Sequence, residues 1–229
     1  MTDDILQQQI AYYRARSGEY DDWFYRLNRY DHGAELNRQW FDEAAVVRRA
    51  LHDLGHVGDA LELACGTGIW TQELARIAEH VTALDAAEEV ITLNREKLRS
   101  AKVEYQQLDL FAWEPDRQYD LVFFGFWLSH VPPERLASFL ATVSRAVHPG
   151  GHLFMVDSRQ EPTSSATDHP LREDEHIYRT RKLSDGSLYT IVKVFYEQDD
   201  LRAALNAAGF SADVRTTDHH FIYASGTKE

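Results

Sequence analysis

A chain of 229 residues with 44% hydrophobic content is long enough to bury the core of one α/β domain and too apolar to be disordered. Its formal net charge of −13, from 37 acidic and 24 basic residues, argues against a nucleic-acid partner, because phosphate binding ordinarily leaves a basic surface. A small-molecule partner is the default. The single cysteine, Cys65, excludes an internal disulfide and gives no zinc framework.

The opening MTDDILQQQI is acidic and polar, unlike a signal peptide, and no apolar run approaches the length of a membrane span. The expectation is a cytoplasmic protein with no membrane partner, as monomer or homodimer. Residues 4–16 read as a helix. An aromatic-rich stretch, EYDDWFYRLNRY, follows, then a turn at Asp31-His32-Gly33. A second helix is expected from Ala34 to about Leu54, with Leu36, Trp40, Phe41, Ala44, Val47 and Leu51 at helical spacing. Residues 1–55 therefore form a helical cap ahead of a core over 56–229.

From there strand and helix alternate in the order of a parallel sheet. Strands are expected at 60–64, 80–84, 103–107, 119–124 and 151–156, with helices over 70–78, 87–100 and from Pro133. The stretch LELACGTGIWT, residues 61–71, runs a buried strand into a turn carrying Gly66 and Gly68 and then into a helix. Glycines there let the backbone bend sharply and approach a ligand. The second strand ends on Asp85, whose carboxylate is placed to accept hydrogen bonds from a ribose diol. Together these make the front half of a nucleotide-binding βαβ unit. A dinucleotide fingerprint would need a third glycine where Thr71 stands, and the lysine of a Walker A loop is absent.

What stands instead, Glu62-x-x-x-Gly66-x-Gly68, resembles motif I of the class I S-adenosylmethionine (SAM) methyltransferases, with Ala64 in place of the motif's first glycine. Gln107-Leu108-Asp109-Leu110-Phe111 after the third strand, Tyr119-Asp120-Leu121-Val122 in the fourth and His148-Pro149-Gly150-Gly151 before the fifth extend the resemblance over about residues 60–157. It implies a Rossmann-like, doubly wound, seven-stranded and mostly parallel sheet with the last strand antiparallel. It also implies SAM as cofactor, S-adenosylhomocysteine (SAH) as product, and no metal. Glu62, Ala64, Gly66, Gly68 and Asp85 would then form the cofactor turn. Asp109 would take the adenine amine, with Leu110 or Phe111 flanking the ring, and the backbone at Gly125 or Phe126 would take the methionine amino group. Asp120 is read as structural.

The aromatic cap resembles the lid that closes over SAM in small-molecule methyltransferases. Within it, Tyr20 is assigned beside the sulfonium and Arg16 to the methionine carboxylate, and Tyr12 and Trp23 to the substrate side. Trp127 and Asp157, at strand ends, are assigned there too. His130 is either the base that deprotonates the acceptor or a wall of its pocket. Residues 158–198 read as a substrate-side insertion: an irregular 160–175, then a hairpin through LYTIVKVFY with its two faces alternating. A helix over 199–208 and strands near 211–215 and 219–225 close the sheet. His219 and His220, on a strand, would face opposite ways and make no metal site. The implied activity is methyl transfer to an O or N atom of a small acceptor. The alternatives are an NAD(P)-dependent oxidoreductase and a SAM-binding protein without transferase activity.

Overall fold

The computed structural model describes residues 2–168 and 177–229. The cap consists of α1 (Thr2–Ala15), the short α2 (Tyr20–Phe24) and α3 (Ala34–His52). The core follows as β1 (Val57–Leu63), α4 (Thr71–Ile77), β2 (Ala78–Asp85), α5 (Glu88–Leu98), β3 (Val103–Gln107), β4 (Tyr119–Gly125), α6 (Pro133–Ala146) and β5 (Val147–Ser158). A hairpin of β6 (Tyr178–Lys182) and β7 (Leu188–Val192) precedes α7 (Gln198–Ala207), β8 (Phe210–Thr216) and β9 (Phe221–Lys228).

The main sheet has seven strands in the order β3-β2-β1-β4-β5-β9-β8. The first five are parallel, and β9 runs antiparallel to both of its neighbours. The sequence reverses direction across the sheet after β3, so the ends of β1 and β4 part at the centre. That crevice is where ligands bind in doubly wound sheets. Both faces of the central strands are largely buried, which explains the apolar runs LVFF in β4 and LFMV in β5. On one face, Trp40, Val47 and Leu51 of α3 pack with Phe123 and Phe154; on the other, Phe139, Leu140 and Val143 of α6 pack with Phe124 and Met155.

Three sequence expectations shift. The fifth strand is not preceded by its Pro-Gly-Gly turn but contains it: Tyr119 pairs with Val147 and Leu121 with His152, the extra residues bulging between. Asp120 secures that irregularity, accepting from Asp59 N–H (2.8 Å) and pairing with His148 Nε2 (2.6 Å). The alternating strand after Gly186 ends at Val192; Ile191 and Val192 are both buried, because β7 is covered by α1 on one side and the core on the other. His219 and His220 lie in the turn before β9, not on it, and both backbone N–H groups donate to Glu43 (3.2 and 2.8 Å). Much of the irregular stretch expected over 160–175 lies outside the described residues; Pro162–Ser164 form a 3₁₀ turn. Among the described residues no helix is long and apolar enough to cross a membrane.

Candidate active site

Two adjoining cavities, each partly open to solvent, lie beyond the carboxyl ends of the parallel strands, beneath the cap. The first, the apolar one, lies over the glycine turn. Ala64, Gly66 and Asp85 line one end; Asp109, Leu110 and Phe111 line another; Gly125, Phe126 and Trp127 close it from β4, and Tyr20 from the cap.

The turn is held rigidly. Asp85 Oδ2 accepts from Gly66 N–H at 2.9 Å and Oδ1 from Ala87 N–H at 3.0 Å, tying β1 to β2. Burial nevertheless raises the Asp85 carboxyl above its ordinary range. Ala64 adopts φ 55, a left-handed conformation that costs a residue with a Cβ and that the motif's usual glycine would adopt freely. Gly68 is required twice over: its φ is 92, and a Cβ there would stand 2.5 Å from Asn94 Oδ1. Asn94, buried on α5, donates to Thr71 Oγ1 (2.7 Å) and Gly66 O (3.3 Å) and accepts from Tyr105 Oη (2.9 Å). Its position one helix away from the motif left no local signal in the sequence.

Glu62, in β1, and Gly68, in the turn itself, line neither cavity. Glu62 is buried, and desolvation pushes its carboxyl up to about 8, with the Thr71 hydroxyl opposing and Asp85 adding. Cys65 packs away from both cavities against Ala83 and Ile91, and burial pushes its thiol up. Asp109 Oδ1 accepts from Phe111 N–H at 2.9 Å, so this carboxylate shapes its own loop while bordering the cavity.

The second cavity is cationic and aromatic. Tyr12, Trp23 and Tyr30 line it with Arg16, Arg29, Arg181, Lys182 and Lys193. Among its described lining residues Glu161 is the single carboxylate. Arg29 is bound to Asp168 at 2.6 Å. Arg16 is different: its guanidinium lies 5.0–5.8 Å from the ring centres of Tyr12, Tyr20, Trp23 and Tyr30, donates weakly to Tyr30 Oη (3.4 Å), and its buried Nε has no hydrogen-bond partner among the described residues. Arg16, assigned from sequence to the cofactor, thus lines this cavity and not the apolar one. Trp127 has the converse placement, on the apolar cavity.

Asp157 lines neither cavity. Its oxygens accept from Ser129 N–H (2.9 Å) and Ser158 N–H (2.7 Å) and hold Lys193 Nζ at 3.3 Å. Lys193, which also donates to Ser129 Oγ (2.8 Å), is buried, and desolvation lowers its pKa against the opposing pull of Asp157. In the sequence Lys193 is one charge in a strand-like run; only the return of the hairpin under the cap brings it inside.

Four side chains wall both cavities: Tyr13, Tyr20, Phe126 and His130. His130 Nδ1 is 2.7 Å from Val192 O and Nε2 is 2.7 Å from Tyr13 Oη. A carbonyl only accepts, so Nδ1 carries the hydrogen and Nε2 accepts the Tyr13 hydroxyl proton. Burial, then Lys193, holds the His130 pKa well below the ordinary histidine value, leaving the ring neutral. Gln9 of α1 fixes the junction by donating to His130 O (3.1 Å) and accepting from Val192 N–H (3.1 Å). Among the described residues no cluster of His, Cys, Asp and Glu has the makings of a metal site.

A family model described as "Methyltransferase domain" matches residues 60–151. The chain is 29% identical over 167 residues to a ubiquinone biosynthesis O-methyltransferase of Acinetobacter baylyi, covering 70% of this chain and 66% of that one. It is 36% identical over 139 residues to the protein so named from Hydrogenovibrio crunogenus, covering 52% and 56%. The chain thus spans under two thirds of the length of these curated relatives. Among solved structures it is similar to a DhpI–SAH complex (37% identity, 97% of this chain and 96% of that one, TM-score 0.78). It is also similar to a DhpI–SAM–HEP complex (38%, 97% and 97%, TM-score 0.78). The glycine turn with its acidic partner Asp85, the sheet order and these matches along nearly the whole chain agree: the protein belongs to the class I SAM-dependent methyltransferases.

Proposed function

We propose that this protein transfers a methyl group from SAM to an oxygen of a small anionic acceptor by in-line displacement. The apolar cavity is the donor site and the cationic cavity the acceptor site. The residues fit the donor: Asp85 closes the turn end as a ribose acceptor, Asp109 borders the loop end for the adenine amine, and Leu110 and Phe111 supply apolar walls. A Cβ at Gly66 would meet no protein atom within 4 Å, so the backbone there faces open space into which a ligand can press closely. SAM supplies an electrophilic methyl group on a sulfonium. The protein's share is alignment and exclusion of water, and an oxyanion acceptor needs no base before attack. A neutral His130 with its lone pair already taken by Tyr13 accords with that.

The observation that carries the acceptor's charge is Arg16. A buried guanidinium encased by rings, with an unpaired Nε and no carboxylate partner among the described residues, is costly unless an anion joins it. The O-methyltransferase names of the curated relatives support oxygen over nitrogen. The test is calorimetry of SAH-loaded protein with inorganic phosphate, sulfate and acetate, followed by transfer of labelled methyl to anionic and neutral acceptor panels. Arg16→Leu is expected to weaken anion binding by roughly tenfold or more while SAH affinity stays within about threefold. A variant that loses SAH instead would return Arg16 to the methionine carboxylate, and preferential methylation of neutral acceptors would remove the anionic reading.

A further inference from the structure

Tyr13, Tyr20, Phe126 and His130 form the wall common to both cavities, the throat at which, on the assignment proposed above, a methyl group passes from one to the other. Phe126 offers only a ring. Tyr20 lies with its ring 5.0 Å from the Arg16 guanidinium, its π-face engaged by that cation. Tyr13 alone has a hydroxyl whose hydrogen is committed by a chain of fixed partners, from Tyr13 Oη to His130 Nε2 and from His130 Nδ1 to Val192 O, each at 2.7 Å. With that hydrogen directed to the imidazole, the Tyr13 oxygen presents lone pairs elsewhere, made richer by the bond it donates. The charges that act on His130 are positive, Lys193, Arg181 and Arg16, while the carboxylates Asp157 and Asp85 act on Tyr20. A sulfonium arriving among those cations needs an electron-rich neighbour, and an imidazole already used as an acceptor cannot supply it.

We infer that the Tyr13 hydroxyl, oriented by His130, is the contact for the sulfonium methyl at the throat, a binding and positioning residue for the charged donor. The inference rests on the assignment of the apolar cavity to the donor. It assigns to Tyr13 the place that the sequence alone gives to Tyr20, and it makes His130 an orienting group for Tyr13. Tyr12 and Tyr13 are adjacent on α1 with rings 5.0 Å apart and both pack with Leu183 and Ile191, yet Tyr12 lines only the cationic cavity while Tyr13 lines both.

The experiment compares SAM, which carries the positive charge, with SAH, which lacks both the charge and the methyl. Dissociation constants for both are measured on the wild type, Tyr13→Phe, Tyr20→Phe, His130→Phe and Asp85→Ala. Tyr13→Phe is expected to weaken SAM roughly three- to tenfold and leave SAH within about twofold. His130→Phe should move the same ratio in the same direction by less, and Tyr20→Phe should leave it unchanged. A merely structural Tyr13 would weaken both ligands alike, and that result overturns the inference, as does a ratio that responds to Tyr20→Phe alone. If Asp85→Ala leaves both affinities untouched, the donor-cavity assignment falls and this inference with it; if Asp85→Ala weakens both while Tyr13→Phe preserves the ratio, the inference fails alone. Nitrogen-15 spectra of histidine-labelled protein give a second readout. They should show His130 protonated on Nδ1, with Nε2 shifting in Tyr13→Phe, and an Nε2-protonated ring would reverse the hydrogen bond and sink the inference.

Discussion

At the scale of single residues, Glu62 is a motif position that lies outside both cavities. Buried in β1, its carboxyl is pushed from 4.5 to about 8 by desolvation, against the Thr71 hydroxyl and with Asp85 adding. The folded protein therefore binds this proton more tightly than the unfolded chain. The resulting stability is complete below about pH 4.5 and is lost as pH rises towards about 8. Glu62→Gln stays neutral throughout, so its stability relative to wild type is expected to improve between those limits, by an amount of order a few kcal/mol. Urea midpoints without ligand at about pH 5, 6.5 and 8 test this, and parallel curves would place the titration elsewhere. The sequence marked Glu62, Gly66 and Asp85 as a set because a glycine turn between a strand and an acidic strand end is a local pattern. It gave Ala64 as a tolerated glycine replacement but not its left-handed φ of 55. Arg16 and Lys193 were harder: which cavity a long cation enters depends on the packing of a distant hairpin, which no local spacing encodes.

At the scale of elements, the cap is fastened to the core at identifiable points. Asp21 of α2 accepts from Thr67 Oγ1 in the glycine turn at 2.5 Å and pairs with Lys97 of α5, which also donates to Thr67 O at 3.0 Å. Trp23 Nε1 donates to Ser164 O (2.9 Å) and Arg26 to Thr163 O (2.6 Å), joining the cap to the segment after β5. The Asp21–Lys97 pair is partly exposed, so it is worth at most about 1 kcal/mol and is screened by salt. Lys97→Met is accordingly expected to speed SAH release roughly two- to fivefold, read by stopped-flow tryptophan fluorescence. Wild type should approach the variant at about 1 M salt; an unchanged release rate would show that this latch does not hold the ligand in. The helices and parallel strands were readable because periodicity is local. The bulge inside β5 and the early end of β7 were not, since each is fixed by a partner strand or by α1 across the molecule.

At the scale of the whole molecule, sheet order and cap position combine to build the apolar cavity, proposed above as the donor site, from segments spread between Leu6 and His130. A ligand bridging so many elements stabilises the folded state by mass action: at about one hundred times its dissociation constant it adds about 2.7 kcal/mol. For a chain of this length, thermal unfolding should then rise by about 5–10 °C with SAH. Phosphate should add a further increment only when SAH is present, because the two cavities share their walls. No shift with SAH would contradict the donor assignment. The sheet was legible to this scale from the alternation of strands and helices, whereas the pairing of two cavities across one throat was not, because it depends on where α1 settles.

Gln9, a neutral side chain on α1, spans the backbone of His130 and of Val192. Through it one helix joins the walls of the apolar and the cationic cavity. On the donor and acceptor assignments proposed above, transfer is expected to require both ligands bound at once. Initial-velocity plots should therefore intersect, with no half-reaction separable from the other.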